Sequence, residues 1–164
     1  MAIRLIRVDE RLIHGQVAVG WGNQLHPDRI IVVDDGLSEA TWEQELYAFG
    51  LPPEVTASFV SVAAAIADIP TWKSGVERIF VLTRDIGTML TCSEAGALAG
   101  EHVNIGGLHD GAGRRQVLPY VFLSEKESAA LGRLLALGVE ISAQDLPGAR
   151  RVPGERLVRG AASS

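Results

Sequence analysis

Short apolar runs rich in β-branched residues alternate with helical patterns along the chain. Most of these runs are apolar at nearly every position, which is typical of strands whose two faces are both covered by helices. Seven runs are predicted to be strands: residues 2–8, 29–34, 56–62, 78–84, 102–106, 116–123 and 138–144. Their alternation with helices predicts a single-domain α/β fold, a three-layer open sheet of about seven mostly parallel strands with helices on both faces.

The segments between the strands carry helix signals. Two apolar stripes at helical spacing are Val17–Trp21–Leu25 and Trp42–Leu46–Phe49. Pro27 ends the first stripe, and Ser38 is a candidate N-cap for the second. A short Ala-rich helix is predicted over residues 62–68, and another crossover over 85–98. The link between residues 106 and 116 is too short for a helix, which allows one strand there to run antiparallel.

The clearest helix signal lies near the end of the chain. Ser124 and Glu127 have the spacing of a capping box, and Gly138 is placed to end the helix. Beyond it, residues 148–164 hold four arginines against the single acid Glu155. We expect domain 1–147 to be followed by this Arg-rich tail, either as a solvated, partly mobile end or as a docking surface for an acidic partner.

Composition excludes several classes of protein. With 164 residues and 47% hydrophobic residues, the chain suits one domain with a substantial core. A net charge of −5 argues against general nucleic-acid binding, and no apolar run is long enough to span a membrane. The start of the chain does not resemble a signal peptide, so we expect a cytoplasmic location. The single cysteine, Cys92, is expected to be a small buried hydrophobe.

The stretch "DERLIHGQV" carries the best candidate chemistry. It places Asp9, Arg11, His14 and Gly15 where the first strand should turn into a helix. Ligands of open α/β sheets bind at such junctions, and a helix N-terminus favours an anion. Arg11 could grip phosphate or carboxylate oxygens, and Asp9 could hold Arg11 or fix the tautomer of His14. From the local pattern alone, an ordinary loop histidine and a structural ion pair are the more common interpretation, and the functional one stays open beside it.

Other motifs give weaker signals. No phosphate-binding GxxxxGK[ST], no GxSxG and no HExxH occurs, and "GLHDGAG" lacks dinucleotide spacing. His102 and His109 are too isolated for a metal site, so we expect no metal and no cofactor. The Gly-rich segment suits a mobile loop at the rim of the site, with His109 as a candidate second site residue.

Several stretches resemble a known family. D-x-R-L-I-H-G-Q-V in residues 9–17 is similar to the motif of sugar-specific IIB components of the bacterial phosphotransferase system, mannose–fructose–sorbose class. "RIFVLTRD", "VNIGGLHDGAGRRQVLPYVFLSEKE" and "LLALGVEISAQDLP" resemble its later segments. The resemblance covers residues 2–147. It leaves out the Arg-rich tail, and "GAGRRQ" has paired arginines where many relatives carry lysine or threonine.

The resemblance implies a function and a set of site residues. His14 would take a phosphoryl group from a phosphohistidine on the IIA component and pass it to a sugar bound by the membrane components IIC and IID. Arg11 would stabilise the phosphoryl oxygens, without metal or nucleotide. We assign phosphate binding to Asp9, Gly15, Gln16 and Val17. Partner-facing residues would be Arg84, His109, Arg114 and Arg115. The alternative is a regulatory phosphoprotein or anion-binding module on the same fold.

Overall fold

The structure, a computed structural model, describes residues 2–162. The strands in this part of the chain are β1 (Ile3–Val8), β2 (Arg29–Val33), β3 (Thr56–Val60), β4 (Ile79–Thr83), β5 (His102–Ile105), β6 (Arg115–Leu118), β7 (Val121–Leu123), β8 (Glu140–Ala143) and β9 (Val152–Pro153). Seven form one sheet in the order β3-β2-β4-β1-β5-β8-β9, in which only β9 runs antiparallel. The predicted fold class is confirmed.

The helices occupy the connections between the strands. They are α1 (Gly22–Leu25), α2 (Thr41–Phe49), α3 (Val62–Ser74), α4 (Ile86–Glu94), α5 (Glu125–Ala136) and α6 (Gly154–Ala162). A π-helical turn, Gln16–Trp21, runs directly into α1, and a 3-10 turn, Leu37–Glu39, precedes α2. Within residues 2–162, no helix has the length and apolar character that crossing a membrane requires.

Both faces of the sheet are buried, which explains the continuous apolar runs. In β2, Ile31 and Val33 enter a core covered by α3, α4, α5 and α6. Ile30 and Val32 enter a second core, covered by the π-helical turn and flanked by α2. Cys92 is buried in the first core, and burial raises the pKa of its thiol to about 11. The cysteine therefore packs as a small hydrophobe, as predicted.

The run 116–123 is not one strand of the main sheet. It forms an antiparallel hairpin of β6 and β7 that makes a separate two-stranded sheet. Pro119 and Tyr120 lie in the turn, because proline lacks the N–H that a continuous strand would need. The seventh strand of the main sheet is instead β9, from the predicted tail.

Two helices differ from their predicted extent. Helix α3 does not end near residue 68 but continues through Pro70 to Ser74, because Ile69 and Trp72 are buried against the core. Helix α2 begins at Thr41, since the 3-10 turn that contains Ser38 intervenes. Ser38 caps no helix, and its hydroxyl donates to the carbonyl oxygen of Asp35.

The segment of residues 152–158 packs on the domain. Strand β9 pairs with β8, and Leu157 of α6 is fully buried in the first core. Gly154 lies so close to Ile141 that a Cβ at Gly154 would be 2.7 Å from the Cβ of Ile141. The expectation of a solvated, mobile end therefore does not hold for residues 152–158.

Candidate functional site

The loop that follows β1 is anchored to the carboxyl ends of both neighbouring strands. The N–H of Asp9 donates to the carbonyl oxygen of Thr83 over 2.9 Å, at the end of β4. The N–H of Glu10 donates to the carbonyl oxygen of Gly107 over 2.9 Å, just beyond β5. The loop thus lies at the edge of the sheet where ligands of α/β proteins bind.

The loop makes a tight turn before it reaches His14. Leu12 is buried with φ at 56°, a left-handed conformation that costs a non-glycine residue about 1–3 kcal/mol. The turn is held by Asp9, whose carbonyl oxygen accepts from Leu12 N–H over 3.0 Å and whose Oδ1 accepts from Arg11 N–H over 3.0 Å. Strain of this kind persists only where surrounding contacts fix it, and it is frequent at functional sites.

The imidazole of His14 has one engaged and one accessible nitrogen. Nε2 lies 3.1 Å from Oδ2 of Asp9. Nδ1 has no hydrogen-bond partner within residues 2–162, and the side chain is 14% exposed. One nitrogen is therefore oriented by the protein while the other can meet a ligand.

Asp9 in turn is held by Arg7. Both side chains are fully buried, and Nε and Nη2 of Arg7 donate to Oδ2 of Asp9 over 3.2 and 2.9 Å. A buried charge pair is tolerated only when further hydrogen bonds compensate its loss of hydration. The arginine therefore needs additional acceptors.

Three further acceptors surround the Arg7 guanidinium. They are Oδ1 of Asn104 and the carbonyl oxygens of Gln144, at 2.8 Å, and Asp145, at 3.1 Å. The Trp21 ring stacks against it, with its centroid 5.5 Å from Cζ. Arg7 of β1 therefore contacts β5, the residues that directly follow β8, and the π-helical turn.

The environment keeps Asp9 ionised. Burial alone would raise the pKa of Asp9, but the hydrogen bond with His14 and the charge of Arg7 outweigh it, so the pKa is lowered. An ionised carboxylate can only accept hydrogen bonds. Nε2 of His14 must therefore be the protonated nitrogen, which leaves the lone pair of the neutral ring on Nδ1.

Arg11 and the helix start lie beside the histidine. The Arg11 side chain is exposed, and its Nη2 donates to Oε1 of Gln16 over 3.2 Å. The N–H groups of Gly15 and Gln16 have no acceptor among the described residues. Gly15 is exposed, and a Cβ there would meet nothing within 4 Å. The loop therefore offers a guanidinium and two N–H groups to an anion.

Two residues assigned to phosphate binding have other contacts. Val17 is fully buried, and its N–H donates to the carbonyl oxygen of His14 over 3.0 Å. Asp9, as a buried carboxylate, contacts the ring rather than presenting a donor to an anion. These contacts give Val17 a structural position and Asp9 an orienting one.

A second polar network borders the loop through Glu10. His109 Nδ1 lies 3.0 Å from Oε2 of Glu10, and Arg114 pairs with the other oxygen. Arg114 also donates to both oxygens of Glu127, the N3 residue of the α5 capping box, at 2.9 and 2.8 Å. The structure thus brings His109 and Arg114 to the rim, with the charge of Arg114 balanced by two carboxylates.

The other two predicted rim residues are placed differently. Arg84 follows β4 directly, and its Nε donates to Oδ2 of Asp34 over 2.9 Å. Arg84 directly follows Thr83, whose carbonyl oxygen anchors the site loop. Arg115 begins β6 opposite Leu123, and its side chain is partly buried.

Arg7 is the main site residue that the sequence patterns did not identify. The strand pattern of residues 2–8 includes Arg7 and gives it no separate role. The available signal was a charged residue within an apolar strand, because arginine is almost never fully buried without a partner. Within residues 2–162, no cluster of three or more His, Cys, Asp or Glu side chains could hold a metal ion.

The fold and the loop define an α/β domain that presents an oriented imidazole at the carboxyl edge of its sheet. The sequence matches the model of the family described as PTS system sorbose subfamily IIB component over residues 3–164. The chain belongs to this family and is a IIB component of a sugar phosphotransferase system. The match extends through the segment beyond residue 147.

Individual relatives agree with this assignment. The mannose-specific EIIAB component of Escherichia coli K12 is 37% identical over 141 residues, which cover 86% of this chain but only 43% of that protein. The sorbose-specific EIIB component of Lacticaseibacillus casei is 33% identical, with 86% and 85% covered. The crystal structure of the IIBSor domain of the Klebsiella pneumoniae sorbose permease superposes with a TM-score of 0.86 at 27% identity, covering 100% of this chain and 98% of that one.

Proposed function

We propose that this chain is a phosphocarrier in which His14 accepts a phosphoryl group from a phosphohistidine on a IIA component. His14 then passes it to a sugar bound by the membrane components IIC and IID. One observation carries the proposal: buried Asp9 holds Nε2 of His14 and leaves Nδ1 accessible. In this role the chain works at the cytoplasmic face of its permease.

The first transfer forms one N–P bond and breaks another. The lone pair on Nδ1 of His14 attacks phosphorus in line, and the N–P bond of the donor phosphohistidine breaks. The donor ring, which carries a proton on its other nitrogen, leaves as neutral imidazole, while the His14 ring, which keeps its proton on Nε2, becomes cationic. The Asp9 carboxylate, 3.1 Å from Nε2, stabilises this positive charge. In the second transfer a sugar hydroxyl attacks phosphorus, its proton passes to a base at the acceptor site, and neutral His14 is released.

The oxygens of the phosphoryl group are negatively charged, and this charge must be compensated during transfer. Arg11 and the N–H groups of Gly15 and Gln16 provide this compensation on the exposed side of the loop, with Arg11 held by the Gln16 amide oxygen. Phosphoryl transfer depends mainly on positioning and electrostatic stabilisation, so such a loop is sufficient without a bound metal. Asp9 and Arg7 lie behind the ring and orient it.

The test is a reconstituted relay. The chain is incubated with phosphoenolpyruvate, enzyme I, HPr and its IIA partner, and phosphate on histidine is measured by 31P NMR. We expect label on Nδ1 of His14 in the wild type and none on His14→Gln. Equal labelling of both proteins would refute the assignment of His14. Labelling without transfer to sugar in membranes that contain IIC and IID would support the regulatory alternative.

A further inference from the structure

A second cavity lies near the amino ends of strands β5 and β8. Its volume is about 540 Å³, and residues of β5, β8 and β9 and the start of α6 line it. Sites for small molecules in proteins have volumes of roughly 300–1,000 Å³. The loop that holds His14 follows the carboxyl end of β1, and none of its residues lines this cavity. The cavity is therefore separate from the candidate functional site.

An arginine without a negatively charged partner lies in this cavity. Nε of Arg151 donates to Oγ of Ser142 over 3.0 Å, and Nη2 donates to Nε2 of His102 over 2.9 Å. Burial and the charge of Arg151 lower the pKa of His102, so both acceptors are neutral. In residues 2–158, whose side chains the structure describes, no carboxylate forms an ion pair with Arg151. A guanidinium in this state is suited to bind a phosphate or a carboxylate.

The neighbours of Arg151 favour phosphate over carboxylate. Ser142 is only 5% exposed, and its Oγ lies 2.7 Å from Nε2 of His102. The hydroxyl group can donate as well as accept, so it adds a donor beside the guanidinium. His102 adds another donor when its ring is protonated. A phosphate group has three free oxygens for these donors, whereas a carboxylate has two.

The rest of the cavity disfavours a bare anion. The side chains of Glu140 and Glu155 also line it, and their charges would repel an inorganic phosphate ion. Carboxylates accept hydrogen bonds from hydroxyl groups, and the apolar side chains of Leu135 and Pro153 offer a surface for carbon atoms. The lining therefore suits a molecule that has a phosphate group at one end and hydroxyl groups elsewhere.

We infer that this cavity binds a phosphorylated sugar, with Arg151 and Ser142 on the phosphate group and Glu140 and Glu155 on hydroxyl groups. The choice of a sugar rests on the proposed function, in which the relay ends by forming a sugar phosphate. Binding itself uses no residue of the relay.

The test is an NMR titration of the full chain with glucose 6-phosphate, mannose 6-phosphate and fructose 1-phosphate. We expect the ring signals of His102 and the Nε–H signal of Arg151 to shift and saturate with at least one of them. Arg151→Gln should raise the Kd at least tenfold, and Ser142→Ala about fivefold. Arg156→Gln is the matched control, because Arg156 is exposed on α6 and does not line the cavity. Thermal unfolding verifies that each variant is folded.

Three further probes define the ligand. Inorganic phosphate and free glucose should bind at least tenfold more weakly than the best hexose phosphate, and L-glutamine should not bind. Equal affinity for inorganic phosphate would make the cavity a site for an adventitious ion only. Tighter binding of L-glutamine would assign it to an amino acid. Shifts confined to Gly15 and Gln16 would place the phosphate at the site loop. Each of these results would overturn the inference.

The variant His14→Gln separates this inference from the proposed function. We expect it to bind the hexose phosphate with the Kd of the wild type, because the cavity uses other residues. Binding at His102 without labelling of His14 in the relay would overturn the phosphocarrier function alone. Labelling of His14 without a shift of His102 by any of the three hexose phosphates would overturn the cavity site alone.

Discussion

At the scale of single residues, the chemistry of His14 depends on a carboxylate that is shielded from solvent. Asp9 fixes the ring through Nε2 and also holds the backbone turn through its contact with Arg11 N–H. The pKa of Asp9 is lowered although burial opposes this, because His14 and Arg7 both favour the charged form. Asp9 therefore both orients the His14 ring and supplies a negative charge beside it. Substitutions of Asp9 can separate these two roles.

Replacing Asp9 with asparagine keeps the shape but removes the charge. For Asp9→Asn we expect phosphoryl transfer to slow by roughly 100-fold or more, because an amide does not enforce the Nε2–H tautomer or stabilise the cationic ring. Single-turnover transfer from phosphorylated IIA measures the rate, and 15N chemical shifts of His14 report the tautomer. A variant with a wild-type rate and a mixed tautomer would show that Asp9 does not orient the nucleophile.

Arg7 is expected to matter chiefly for stability. For Arg7→Met we expect the free energy of unfolding to fall by about 3–5 kcal/mol, because Asp9 would be left buried without its partner. Urea denaturation measures the change, and Arg78→Met, which removes an exposed ion pair with Asp28, is a control with little expected effect. The double variant Arg7→Met/Asp9→Leu should recover stability but not transfer. A double variant as unstable as Arg7→Met would contradict this account.

The sequence predicted the position of His14 but not the network behind it. A histidine between a strand and a helix is visible from local pattern, since both elements have their own periodicity. The acceptors of Arg7 come from Asn104, Gln144 and Asp145, about 100 to 140 residues away. Contacts of that range depend on which strands become neighbours, and local pattern does not determine strand order.

At the scale of elements, the patterns located most strands but gave no order for them in the sheet. Six predicted strands lie in the main sheet, as expected for short runs rich in β-branched and apolar residues. The hairpin of β6 and β7 and the short β9 depend on tertiary context. Helix α2 shows the same limit, since an apolar stripe predicts a helix without showing that Trp42 and Leu46 are exposed rather than in a core.

Helix α3 contains a proline that packing overrides. Pro70 lacks the N–H that would bond to residue 66, yet the helix continues to Ser74 because Ile69 and Trp72 are buried. For Pro70→Ala we expect the free energy of unfolding to rise by about 2 kcal/mol, since the restored helix bond outweighs the greater freedom of the unfolded chain. Urea denaturation measures it, with the neighbouring Thr71→Ala as control. A loss of stability would show that Pro70 fits this helix without cost.

At the scale of the whole molecule, Arg151 is joined to strands β5 and β8 by a polar cluster. The Ser142 hydroxyl lies 2.7 Å from Nε2 of His102 and accepts from Nε of Arg151 over 3.0 Å. Arg151 comes directly before β9, so this cluster connects a residue beyond 147 to strands β5 and β8. One of the four tail arginines therefore has a structural contact that charge counting alone did not reveal.

We expect this cluster to make folding sensitive to acid. Burial lowers the pKa of His102, and the charge of Arg151 lowers it further. In the unfolded chain histidine titrates near pH 6.5, so between that pH and the lower folded pKa the unfolded state binds a proton that the folded state does not. We therefore expect the contribution of His102 to stability to be fully present above about pH 6.5 and to fall as the pH drops below it, by no more than about 1.4 kcal/mol per pH unit.

The measurement is urea denaturation between pH 7.5 and pH 5. For His102→Gln we expect a shallower loss of stability on acidification than in the wild type, because the group that binds the extra proton on unfolding is gone. His26→Gln is the matched control, since His26 is exposed at the end of α1. Its free energy of unfolding can differ from that of the wild type, but its pH slope should not. Equal slopes for wild type and His102→Gln would show that the acid sensitivity arises elsewhere.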